Sequence, residues 1–275
     1  MLVVSCGEAR RLTLPSSGPA YGGPLKSNVR PQMHIPRWLV ELEGESLDLA
    51  RFQHWFGTGD LHVITEGPSA YITGSAFNLL AEPSLVLDAG HQFIDEHYPI
   101  VSLLDPSVKK PIAGNVFRES ENGERRGYAF AAVEFRAELR AYVNNVAHSG
   151  TVCQTHAQLL LAATRSDRHL REAASLLAAP LCSWPQLYRA LEEVEQHLAR
   201  KVNQAGLCSS TQRERFKLSA NSAEAAGANA RHAFGKFAPP KRPMSLQEGS
   251  VFVAGLLKKA LAVAVSHQAQ SRDAV

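Results

Sequence analysis

The chain lacks any apolar run near the roughly 20 residues that cross a bilayer, so neither a membrane span nor a membrane partner is expected. Cysteine is scarce. Cys6, Cys153, Cys182 and Cys208 form no C-x-x-C pair, and no histidine follows at zinc-finger spacing. Reduced thiols in a cytoplasmic protein are the expected state, with no metal site among them. Charge of one sign is also scarce. A formal net charge of +3 over 275 residues demands no polyanionic partner, so a basic surface must be local. No G-x-S-x-G, phosphate loop, dinucleotide fingerprint or H-E-x-x-H occurs. That removes several large enzyme classes and implies no cofactor. No repeat at solenoid spacing is present either.

What remains is an ordinary globular composition, 45% hydrophobic and 20% charged, long enough for one large or two ordinary domains. Residues 1–33 mix Gly, Pro, Ser and Arg without period. They read as a disordered arm or a spurious upstream extension, with Met33 as a plausible start. From Trp38 to Glu43, large apolar and acidic residues alternate, the pattern of a half-buried strand. Leu47 to Phe56 reads as a short helix with Leu49, Phe52 and Phe56 on one stripe. Runs at 61–65 and 71–73 flank Gly67-Pro68-Ser69 as a hairpin. Leu87, Gly90, His91 and Ile94 then recur at helical spacing up to His97, with Pro99 closing the helix. A second hairpin is expected from strands at 112–118 and 128–135 around Asn122-Gly123, a pair suited to positive φ at both positions. Residues 36–138 therefore read as a small α+β domain, an antiparallel sheet with a covering helix.

After Glu138 the strand signals stop, and 151–266 reads as an all-α helical bundle of about five helices. Gln154 to Thr164 is one helical run. Asp167 caps the next, with Leu170, Ala173, Ala174 and Leu177 inward. Ser183 and Gln186 make a capping box for a helix of about 19 residues that ends before Gly206. Asn221 with Glu224 and Ser245 with Glu248 repeat that arrangement, and residues 267–275 read as a frayed tail.

The chemistry-bearing residues concentrate late in the chain. Arg231 offers a planar fork for phosphate and His232 a proton near neutral pH. Asn221 reads first as a helix cap and second as a site residue. The span 200–242 holds nine Lys or Arg against two acidic residues, so the remainder is net acidic. Arg213, Arg215, Lys217, Lys236, Lys241 and Arg242 are its candidate nucleic-acid contacts, and Phe216, Phe234 and Phe237 are placed to stack bases. Asp88, His91 and Asp95 share a helix face but read as exposed residues rather than metal ligands. Glu193 and His197 read as an i,i+4 pair.

The run Asn221…Gly227…Arg231-His232…Pro239-Pro240…Pro243-Met244-Ser245 resembles the C-terminal part of uncharacterised bacterial proteins, a likeness extending loosely to Trp38. Together with Leu187-Tyr188-Arg189-Ala190-Leu191-Glu192 it is also similar to HEPN domains. That resemblance implies a helical bundle, often dimeric, and in many members a metal-independent ribonuclease whose motif is Arg, four to six residues, then His. Only His232 carries over, because the motif's arginine falls where this chain has Ala225, Ala226 and Gly227; Arg165 and His169 are one residue too close. The resemblance implies a helical module binding RNA or a nucleotide, with the α+β part regulatory. Its catalytic candidates are His232, Arg231 and Asn221. The alternative is a non-catalytic interaction or scaffold protein, a homodimer through an apolar bundle face.

Overall fold

The computed structural model describes residues 36–130, 155–179, 182–227, 230 and 238–273. The arm at 1–33, the boundary between 138 and 151, and Arg231, His232, Phe234, Lys236 and Phe237 lie outside them.

Five antiparallel strands form one sheet: β1 (Arg37–Glu43), β2 (His62–Glu66), β3 (Ser69–Thr73), β4 (Ile112–Glu119) and β5 (Arg125–Tyr128), in the order β2-β3-β1-β4-β5. Alternation along β1 turns Trp38, Val40 and Leu42 to one face. On that face lies α2 (Pro83–Leu104), so close that a Cβ at Gly90 would sit 2.9 Å from Val40 Cγ1. Helix α1 (Ser46–Phe56) buries Leu49, Phe52 and Phe56, the stripe its sequence displays.

Two local expectations are corrected here. Pro99 does not end α2 but lies buried inside it. A mid-helix proline costs about 3 kcal/mol. Beyond it Ile100, Val101 and Leu103 are buried, and full burial of such side chains contributes about 1.5–3 kcal/mol each. The second hairpin also differs. Its return strand is Arg125–Tyr128, not 128–135, and only Gly123 takes positive φ, at 82°. Gly123 N–H donates to Ser120 O and Ser120 N–H to Glu124 O, both at 2.9 Å. This is the three-residue form, a turn closed by a left-handed glycine, and it lets pairing resume at once with Arg125.

The later chain is helical: α3 (His156–Ser166), α4 (Arg168–Leu177), α5 (Trp184–His197), α6 (Ser210–Asn221), the single turn α7 (Ala223–Ala226) and α8 (Leu246–Asp273). Three of the expected caps are present. Asp167 accepts the N–H groups of His169 and Leu170, and Ser183–Gln186 and Ser245–Glu248 form capping boxes. Helix α5 is shorter than expected. It closes with Ala199 N–H on Gln196 O and Arg200 N–H on Glu195 O, a Schellman pattern with Ala199, φ 50°, in the place glycine favours. Val202 is buried beyond the helix, and Gly206 serves the following turn. The tail expected to fray at His267 continues as helix to Asp273.

Helix α8 overturns a further expectation. By length and composition its stretch Leu246–Gln270, which holds an 18-residue window of mean hydropathy 1.6, is apolar enough to cross a membrane, Lys258 and Lys259 notwithstanding. Its Val253, Leu256, Leu257, Ala260 and Leu261 belong to the core. The described residues all belong to one compact unit. Packing continues from the sheet part into the bundle: Thr155 Oγ1 donates to Trp55 O at 2.8 Å, and Arg165 grips Glu96 through Nε at 2.7 Å and Nη2 at 2.9 Å.

Candidate functional site

Asn221 ends α6 instead of capping the next helix. Its Nδ2 donates to Lys217 O at 2.8 Å, so its Oδ1 is the free atom, buried without a partner. Ser222 follows, wholly buried, with Oγ likewise unpartnered. The cap fails because four residues of α7 offer too little helix to reward it, whereas the preceding turn of α6 presents a carbonyl directly. Nearby, Arg215 Nε donates to Arg242 O at 2.7 Å and Ser219 Oγ accepts Met244 N–H at 2.8 Å. These bonds fix the chain entering α8 against α6.

The basic residues of 200–242 do not form one cationic face among the described residues. Arg213 is bound to Glu195 at 2.7 Å, and Lys201 joins it at 2.8 Å. Burial works against the Glu195 charge, but these cations overcome it and hold its carboxyl below the usual range. Arg215 is spent on backbone carbonyls and Glu248, and Lys217 lies 3.8 Å from Glu214. Lys241 and Arg242 are exposed. Phe216 is core, ringed by Trp184, Tyr188 and Phe252, and cannot stack a base. Its 3–4 spacing from Ser219 and Ala220, both buried, marked it as inward.

Uncompensated positive charge appears instead on the β4–β5 hairpin, in the part that the sequence reads as acidic and regulatory. Trp38, Arg118 and Arg126 are register partners across β1, β4 and β5, so they share one row on one face. The Arg118 guanidinium lies over the Trp38 ring at 4.8 Å, and that of Arg126 over Tyr128 at 5.5 Å. Tyr128 in turn tilts against Trp38 at 5.8 Å, and Trp38 Nε1 is anchored on Leu80 O at 3.2 Å. Both arginines are exposed, and neither has a carboxylate partner among the described residues.

The opposite face of the same strands is neutralised. Arg37, Glu119 and Arg125 form the next row, and Glu66 closes a ring of alternating charge. Arg37 meets Glu66 at 2.8 Å and Glu119 at 3.1 Å, while Arg125 bonds Glu119 at 2.6 Å and also Glu66. Burial opposes ionisation of Glu119, yet the two guanidinium groups pull its carboxyl below the ordinary range. An open groove of about 980 Å³ runs along this hairpin, lined by Arg118, Arg125, Arg126 and Tyr128, with Glu121 and Glu124 at its turn. The signal was present in the sequence as Arg118 and Arg125-Arg126-Gly127-Tyr128 about an Asn-Gly turn, but placing the return strand three residues late hid the pairing.

The expected i,i+4 pair of Glu193 with His197 is also corrected. Glu193 does not meet His197. It accepts from His169 Nδ1 at 2.7 Å, while His197 Nδ1 meets Asp167 Oδ2 at 2.7 Å. The pairs cross between α4 and α5 because Asp167, capping α4, comes within reach of the last turn of α5. Asp95 pairs with Lys110, and Asp88 and His91 are exposed. Among the described residues no three His, Cys, Asp or Glu gather around a common point. Cys182 and Cys208 are free thiols that burial pushes up. No family model matches the chain, and no curated protein or solved structure matches it either.

Proposed function

We propose that the protein binds single-stranded RNA, or the phosphates of a nucleotide, in the groove of the β4–β5 hairpin. One observation carries this reading: Arg118 stands directly opposite Arg126 in register, and neither has a carboxylate partner among the described residues. Like charges facing each other across strands are destabilising, whereas on the other face of this hairpin Arg125 stands opposite Glu119 and also meets Glu66. A phosphate between the two guanidinium groups relieves it here. Arginine suits that task through its planar donor fork. The rings of Trp38 and Tyr128 hold the guanidinium planes and give bases an apolar edge on which to stack. An open groove fits an extended strand, and guanidinium contacts to backbone phosphates fit binding without sequence preference.

Hydrogen bonds to charged groups contribute about 1.5–3 kcal/mol each, which is roughly tenfold or more in affinity. The test is a gel-shift of single-stranded RNA at low salt with the wild type, Arg118→Gln and Arg126→Gln. Each substitution is expected to weaken binding at least about tenfold. Undiminished binding by both variants, or no binding by the wild type, contradicts the proposal.

A further inference from the structure

Glu124 is an acidic residue in a basic groove. It faces Ser120 one step beyond the β4–β5 ladder: Ser120 N–H donates to Glu124 O at 2.9 Å, and the next pairs are Glu119 with Arg125 and Arg118 with Arg126. Strand alternation therefore puts Glu124 on the face of Arg118 and Arg126, opposite to that of Arg125. On that face it is two residues along the strand from Arg126, about 7 Å at about 3.3 Å per residue. It is diagonal to Arg118, at about 7–8 Å. Both arginines can reach its carboxylate, yet neither takes it. Arg118 leans across to the Trp38 ring and Arg126 along the strand to the Tyr128 ring, both away from Glu124. Glu124 is exposed, lines the groove with them, and has no cation partner among the described residues.

The other polar groups of the turn are spent on the turn itself. Ser120 Oγ shares its hydrogen between Glu124 O and Asn122 Oδ1, and Asn122 Oδ1 accepts Glu124 N–H at 3.1 Å. Only the backbone of Glu124 takes part in these bonds. An ionised carboxylate only accepts hydrogen bonds. It repels a phosphate and is satisfied by a donor. The sugar–phosphate backbone of DNA carries no hydrogen-bond donor along the strand; that of RNA carries one per nucleotide, the ribose 2′-OH. Two guanidinium groups with a free carboxylate two residues away match a phosphate and the 2′-hydroxyl beside it.

On the reading that this groove holds phosphates, we infer that Glu124 is its specificity residue. It accepts a hydrogen bond from a ribose 2′-OH while Arg118 and Arg126 hold the neighbouring phosphate, so the groove selects RNA over single-stranded DNA. The bases take no part in that choice. Glu121, at the tip of the turn, lies outside the strand register and has no such role.

The test is fluorescence anisotropy on the full chain at low salt, with oligo-U, oligo-dU and 2′-fluoro oligo-U of equal length. The last two keep the base and the phosphates but lack the donor. The wild type is expected to bind oligo-U at least about tenfold more tightly than either. Glu124→Ala should lose that preference by weakening oligo-U while binding oligo-dU no less tightly than the wild type does. A merely structural effect would weaken all three alike and keep the preference. Glu121→Ala removes the same charge and should also keep it. Equal binding of oligo-U and oligo-dU by the wild type overturns the inference and leaves phosphate binding standing. So does a 2′-fluoro oligomer bound as tightly as oligo-U, a preference that survives in Glu124→Ala, or one lost equally in Glu121→Ala. No binding of any oligomer by the wild type overturns both.

Discussion

His97 shows how far a single residue is governed by its surroundings. It stacks on Phe93 at 3.7 Å between ring centroids and meets Phe56 edge-on at 4.6 Å. Its Nδ1–H donates to Phe93 O at 2.7 Å. Burial, reinforced by the Arg165 charge, lowers its pKa to about 3 against the opposing pull of Glu96 and the backbone bond. The unfolded chain takes up a proton near pH 6.5 that the folded chain refuses until about pH 3. Stability from this residue is therefore complete above about pH 6.5 and falls as pH drops, by at most about 1.4 kcal/mol per pH unit. Glu96, Glu119 and Glu195 are held below the usual carboxylate range, so their own losses come at lower pH. Urea unfolding at pH 5 and pH 6.5 should show lower stability at the acid value, and His97→Phe should flatten that difference. An unchanged difference would contradict the account. Ala199 gives the opposite kind of prediction. A left-handed conformation costs a non-glycine residue about 1 kcal/mol, so Ala199→Gly should raise unfolding stability by about 0.5–1 kcal/mol. A loss of stability would mean that the Schellman turn does not strain the alanine. Neither feature was legible in advance. The helical spacing of Leu87, Gly90, His91 and Ile94 shares Gly90 and Ile94 with the buried face, which runs through Val86, Gly90, Phe93, Ile94 and His97, but puts Leu87 and His91 where Val86 and Phe93 belong.

At the scale of elements, what a few adjacent residues decide was readable. Asp167 and Ser245 accept N–H groups of the helices that follow them, and Ser183 N–H donates back to Gln186 Oε1, because a cap needs only its own residue and the next turn. What distant burial decides was not readable. Pro99 reads as a terminator and is overridden by the core beyond it; Asn221 reads as a cap and is absorbed into α6. Gly90 is another case. Alanine there gains helix propensity of about 1 kcal/mol. Its Cβ would meet Val40 at 2.9 Å, and Val40 is β-branched, stiff and fully buried in β1. Overpacking of this kind costs about 1–3 kcal/mol. Gly90→Ala should thus lower stability, by about 1 kcal/mol net, in chemical denaturation. Increased stability would show that α2 is free to ride away from the sheet.

For the whole molecule, the α+β sheet followed by helices was legible from the change of periodicity near Glu138, whereas the candidate site was not. Counting charges along the chain singled out 200–242, but counting is blind to pairing. Glu195 lies outside that span and neutralises Arg213 and Lys201 within it. The hairpin, set in the net acidic remainder, leaves Arg118 and Arg126 without a carboxylate partner among the described residues because Glu66 and Glu119 lie on the other face of the sheet. Strand register, which the residue pattern places three residues late, decides which arginines lack a carboxylate among the described residues. The most direct measurement of this claim is the salt dependence of single-stranded RNA binding, by fluorescence anisotropy between about 50 and 200 mM salt. If two guanidinium groups each neutralise a phosphate, Arg118→Gln/Arg126→Gln should make the slope of log K against log salt shallower by about 1.4. Lys241→Gln/Arg242→Gln should leave the slope as it is in the wild type. The same slope in the hairpin variant, or its loss in the Lys241/Arg242 variant alone, would contradict the account.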